Sequence, residues 1–140
     1  MSRAYCVDGT NLVRGCHGYG GPDFRAQEEA DTLRLVGAFG QLCEQLDGAI
    51  EVEVIFDGAA RPLRSSAANL RVRFAYESEA DDLILDRVRA SRYGGAGRVT
   101  VVTGDAELGR QAEEEGAAWL RVKPRASLEA VLGAIERRFS

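Results

Sequence analysis

Short apolar runs rich in β-branched residues recur along this chain, and helical patterns fall between most of them. That alternation constrains the fold more than any single motif. Ala4-Tyr5-Cys6-Val7 reads as a strand, and Arg25 to Leu46 as a helix with Leu35, Phe39, Leu42 and Leu46 at three- and four-residue spacing and Gly48 just past its end. Val52 to Phe56 reads as a second strand closed by the turn Asp57-Gly58, and a basic loop leads to a third at Val72 to Tyr76. Glu79 to Arg92 comes next as a helix with Ala80, Ile84 and Val88 on one face, ended by Gly94, Gly95 and Gly97. Val99 to Val102 is a buried-type strand, Ala106 to Glu115 a helix stopped at Gly116, Trp119 to Val122 a last strand and Ser127 to Arg138 a last helix. Strands alternating with helices predict an α/β fold, a three-layer α/β/α sandwich around a central, mainly parallel sheet of about five strands. With 140 residues, 45% of them hydrophobic, and no linker or repeat, residues 1–140 make one domain. The one irregular insertion, "RGCHGYGGPD" from Arg14 to Asp23, reads as a mobile glycine-rich loop beside Asp8.

A formal net charge of −4 gives no global basic field, so any contact with nucleic acid must be local. Carboxylates that share a cation would mask part of that charge. Cys6, Cys16 and Cys43 are odd in number, widely spaced and without a C-x-x-C pair, which argues against a disulfide framework or a zinc site and suits reduced thiols in a cytoplasm. The start "MSRAYCVDG" has no signal-peptide pattern, and no apolar run approaches the roughly 20 residues that span a bilayer. A cytoplasmic protein with no membrane association is expected.

The carboxyl ends of the strands carry the chemical signal. Val7 is followed by Asp8, Phe56 by Asp57 and Val102-Thr103-Gly104 by Asp105, while "ESEADD" from Glu77 to Asp82 opens a helix after the third strand. Ligands of open α/β sheets bind at the carboxyl ends of the strands, where all four segments aim their acids. Each acid also has a plain structural reading. Asp8 with Gly9 and Asp57-Gly58 suit turns, Asp105 can cap the helix after it, and Ser78-Glu79-Ala80-Asp81 fits a capping box with Asp81 as its acid. Together they are harder to dismiss, because converging carboxylates repel one another and lose solvation unless a cation neutralises them. Oxygen ligands on separate elements, with one histidine in the chain, suit Mg²⁺ or Mn²⁺.

The ordered set "VDGTN", "VIFDG", "SEADDLI" and "VVTGDAEL" resembles the NYN branch of the PIN-like nucleases, and its YacP-like members most of all. The resemblance covers nearly the whole chain. It implies a PIN/FEN-like fold and a metal-dependent ribonuclease acting on RNA, with Asp8, Asp81 and Asp105 as main metal ligands and catalytic residues. By the same resemblance Asp57 lines the pocket, Asn11 orients Asp8, a water or the substrate, and Asp82 is a further candidate ligand. Many members carry S-G-D-S-D-F where this chain has Thr103-Gly104-Asp105-Ala106-Glu107-Leu108, so Glu107 stands in for a second Asp at the metal.

Substrate contacts are expected from Arg61 and Arg64, whose guanidinium forks match phosphate, and from Asn11 and Thr103. Arg71, Arg73, Lys123 and Arg125 can extend a phosphate track or decorate the surface; His17 is left without a base role, and Tyr19 can stack on a base. An alternative is a catalytically silent RNA-binding or scaffold protein of the same fold, or a metal-dependent phosphatase, although Thr10 stands where a haloacid-type phosphatase needs a second acid. No organic cofactor is expected, since the first turn lacks G-x-G-x-x-G and places an anion where a pyrophosphate would sit.

Overall fold

A computed structural model describes residues 3–16, 24–63, 65, 67–76, 78–94 and 98–139. Five strands, β1 (Arg3–Asp8), β2 (Ile50–Asp57), β3 (Leu70–Ala75), β4 (Val99–Thr103) and β5 (Ala118–Arg121), form one sheet in the order β3-β2-β1-β4-β5. Every pairing is parallel. The helices are α1 (Gly9–Cys16), α2 (Phe24–Gln45), α3 (Ala80–Gly94), α4 (Ala106–Glu114) and α5 (Leu128–Glu136), the last closed by a short 3₁₀ turn at Arg137–Phe139.

Side chains alternate across the sheet as the two-residue period of a strand requires. Tyr5 and Val7 of β1, Val52, Val54 and Phe56 of β2 and Val102 of β4 face one core with Leu12 and Val13 of α1, Leu35 and Phe39 of α2 and Ile135 of α5. Cys6, Ile55 and Val101 point the other way, against Ile84 and Val88 of α3 and Leu108 and Ala112 of α4. The sandwich therefore has α1, α2 and α5 on one side and α3 and α4 on the other, which is the three-layer arrangement the alternation predicts.

One local expectation changes. Arg14 to Cys16 belong to α1 rather than to a loop, because Leu12 and Val13 bury against the sheet and carry the chain into a helix directly after Asp8. The remainder of that insertion, with His17 and Tyr19, lies outside the described residues, as does Arg64. β2 and β3 are parallel neighbours joined by a connection of about a dozen residues, with no helix among the described ones, near the minimum a parallel crossover needs.

The strand order sets the place for a site. From β1 the chain builds outward through β2 to β3, then returns through α3 to start again on the other side of β1 with β4. The order reverses between β1 and β4, and a crevice opens at their carboxyl ends, where open α/β sheets bind ligands. The edge beyond β4 is closed by Trp119 of β5, which packs on Gly109 of α4 so tightly that a methyl group there would run into the indole. We expect Gly109→Ala to destabilise the fold by about 1–3 kcal/mol, read as a lowered urea midpoint at unchanged slope.

Candidate active site

Asp8 ends β1, and its side chain caps the helix that comes directly after it. Its Oδ1 accepts the Asn11 backbone N–H at 3.3 Å and its Oδ2 accepts the Thr103 hydroxyl at 3.0 Å. Thr103, the last residue of β4, is fully buried, and its oxygen also accepts the Asp105 N–H at 3.1 Å. The Asn11 side chain reaches across in turn, with Oδ1 accepting the Gly104 N–H at 2.8 Å. Thr10, from the same turn, accepts the Asp57 N–H at 2.8 Å. The four residues Asp8-Gly9-Thr10-Asn11 thus clamp the ends of β2 and β4 to the end of β1. Gly9 is required for closeness, since a Cβ there would lie 2.5 Å from the Phe56 ring of β2.

The other acids sit on this frame. Asp57 Oδ1 accepts the Ala80 N–H at 2.7 Å and so caps α3 from a neighbouring strand. Asp105 is the N-cap of α4, its Oδ1 accepting the N–H groups of Glu107 at 3.0 Å and Leu108 at 3.3 Å. At the start of α3 the acid that reaches back is Asp82, not Asp81: Asp82 Oδ2 accepts the Glu79 N–H at 3.4 Å, while the Asp82 N–H donates to the Glu79 backbone carbonyl. That frees Asp81, half-buried and one position earlier in the helix, to turn toward the other acids. Glu107 is exposed, and the contact it makes here is through its backbone.

Electrostatics tie the carboxylates together. Burial pushes the Asp8 carboxyl up from 3.8 to about 6, the Thr103 and Asn11 hydrogen bonds pull it back, and Asp81 and Asp57 raise it further. Asp81 is also raised, by burial first and then by Asp105, Asp57, Glu79 and Asp82. Among the described residues, no group of three or more His, Cys, Asp or Glu side chains is placed to hold a metal ion as it stands. Asp57 and Asp105 each give an oxygen to a helix N-terminus instead. In donor type and in charge the set fits a hard divalent cation, which would relieve the repulsion that raises Asp8 and Asp81; it is not a preassembled cage.

The expected substrate contacts fare differently. Arg61 pairs with Glu29 at 2.9 Å and lies over the stacked rings of Phe56 and Phe74, 5.7 Å and 5.3 Å from their centroids. Thr103 holds Asp8 from within the core, with no surface left for a ligand. Arg73 pairs with the buried Glu53, which Arg87 also approaches, so it supports β2 and α3. Sequence reasoning missed Thr10, whose hydroxyl carries no motif signal, and the indole N–H of Trp119, which donates to the Thr103 carbonyl at 3.0 Å.

No family model matches the sequence, and no curated protein matches it. Among solved structures, the chain is similar to Rae1 (YacP) from Bacillus subtilis in its W164L mutant, with a TM-score of 0.64 and 22% identity over 97% of this chain and 78% of that one. A second structure of Rae1 (YacP) from Bacillus subtilis gives a TM-score of 0.58 and 20% identity, covering 99% of this chain and 78% of that one. The likeness spans nearly the whole chain and shows that the two proteins share a fold, a three-layer α/β/α sandwich around a parallel sheet.

By linkage, Asp8 makes the fold sensitive to pH. Between 3.8 and about 6 the folded state binds more protons than the unfolded one, so stability falls as pH rises through that window and then stays lowered. The cost is of the order of 3 kcal/mol. We expect Asp8→Asn, in chelator, to be more stable than the parent at about pH 8, with the gap narrowing toward about pH 4 in urea titrations.

Proposed function

We propose that this protein is a metal-dependent ribonuclease whose acidic edge binds Mg²⁺ or Mn²⁺ and hydrolyses RNA phosphodiester bonds. One observation carries the reading: Asp8 is 4% exposed at the topological switch point, and its carboxyl is raised by burial and by Asp81 and Asp57. A group kept there at a cost to stability is expected where function needs it. The motif resemblance to YacP-like NYN nucleases and the shared fold support the same reading.

In this account Asp8, Asp81 and Asp105 are the main ligands, with Asp57, Asp82 and Glu107 as further oxygen donors around them. A bound divalent ion would supply an activated water and charge neutralisation at phosphorus. The chain's own residues do the positioning. Thr103 and the Asn11 N–H hold the two oxygens of Asp8, and the Asn11 side chain fixes Gly104 and with it the approach to Asp105. Asp105 can offer its second oxygen to a cation while its first caps α4.

That Asp57 and Asp105 are engaged as helix caps favours a second reading, an RNA-binding protein without cleavage. Labelled RNA incubated with Mn²⁺ or Mg²⁺ separates the two. The parent should cleave, and Asp8→Asn and Asp105→Asn should lose at least about a hundredfold in rate. Equal cleavage by all three, or no metal uptake in calorimetry, would sink the nuclease reading, and metal-independent binding without cleavage would favour the second. Thr103→Val keeps every carboxylate and should cost about 10–100-fold. It should also move the acid limb of the pH–rate profile upward, since the hydrogen bond it removes lowers the Asp8 pKa.

A further inference from the structure

Beside the acidic edge, on the β4–β5 side of Asn11, lies a cavity of about 200 Å³ walled by Leu12 and Gly15 of α1, by Gly104, and by Val122, Lys123 and Pro124 after β5. Leu12, Val122 and Pro124 make it mainly apolar. Gly15 is exposed, and a methyl group added there would meet no described atom within 4 Å. A second cavity of about 250 Å³ shares Val122 and Lys123 and continues between β5 and α5, where Arg121 and Arg137 join Lys123. Arg121, Lys123 and Arg137 are exposed. The cavity meets the acidic edge at Asn11, whose backbone N–H donates to Asp8, and at Gly104, which precedes Asp105.

We propose that the cavity at Gly15 receives one unstacked base of a single-stranded RNA whose backbone runs along Lys123 and Arg121, bringing the adjoining phosphate to the acidic edge. The inference rests on the ribonuclease reading of that edge and names its substrate class. An apolar slot next to a row of cations suits a polymer in which flat rings alternate with anionic linkers. At about 200 Å³ the slot is smaller than the roughly 300 Å³ of a drug-sized site and matches a single ring system rather than a whole nucleotide. A base in a duplex is stacked on both faces and paired at its edge, so it enters only after unstacking; an unpaired strand pays little of that cost. The cations also offset the repulsion that the nearby acids exert on the phosphates.

Fluorescence anisotropy with a labelled mixed-sequence oligoribonucleotide, single-stranded or annealed to its complement, tests this in the Asp8→Asn background so that cleavage does not intrude. The single strand should bind at least about tenfold more tightly than the duplex. Gly15→Phe, which adds a ring at the wall of the slot, should weaken single-strand binding about tenfold or more, and Gly15→Leu should do so less. Lys123→Gln should weaken it and flatten the dependence of log K on log salt by about 0.7, the loss of one phosphate contact. Arg98→Gln, at the amino end of β4, should change neither. Thermal unfolding of Gly15→Phe at or above the parent's temperature shows the fold intact; if it unfolds lower, Gly15→Leu and Lys123→Gln carry the test. Parent-like binding by the Gly15 and Lys123 variants, or duplex bound as tightly as single strand, overturns the proposal. Cleavage assays in the parent background keep the two readings apart. Metal-dependent cleavage untouched by Gly15→Phe and Lys123→Gln would sink the slot and leave the nuclease. Binding that depends on both residues, without metal-dependent cleavage, would sink the nuclease and leave the slot.

Discussion

The hydrogen bond from the buried Thr103 hydroxyl to Asp8 holds the central pair of strands together at the end where the sheet's order reverses. Asp8 and Asp105 are both positioned through that hydroxyl. Thr103 also accepts the Asp105 N–H, and its carbonyl takes the Trp119 indole, so β1, β4, β5 and α4 share one polar knot inside an apolar surround. A hydroxyl serves here because it donates to a carboxylate and accepts from an amide at once, which no aliphatic side chain of that size does.

Capping and acidic-site readings of the carboxylates turn out to be compatible. Asp8 caps α1, Asp57 caps α3 and Asp105 caps α4, so three helix N-termini converge on one crevice. Their positive ends stabilise carboxylates that would otherwise repel one another, and burial still leaves Asp8 titrating near 6. The caps of α3 and α4 each engage one oxygen and leave the other. The arrangement is a set of acids fixed in place by local structure.

Much of the candidate site was legible because strand ends followed by Asp are a local signal. The acids Asp8, Asp57, Asp81 and Asp105 could be placed at one edge from the alternation of elements alone. The division of labour between Asp81 and Asp82 was not legible, since either spacing fits a capping box and only the observed turn shows that Asp82 reaches back to Glu79. Arg61 shows the other limit of a local reading. A guanidinium after an acidic turn suits a phosphate contact, and in the fold it also meets Glu29 of α2 and the Phe56–Phe74 stack, partners that no local pattern near Arg61 announces.

Read by itself, the sequence determined the α/β class, the number of strands and the carboxylate inventory, because hydrophobic period and turn residues act over a few positions. Tertiary structure alone decided the strand order, the helix that starts directly at Asp8, the clamp made by Thr10, Asn11 and Thr103, and the apolar slot beside Lys123. Those features depend on contacts between residues about 45 to 95 positions apart, such as Thr10 with Asp57 and Thr103 with Asp8, and no local pattern encodes which distant partner a hydroxyl or an amide will meet.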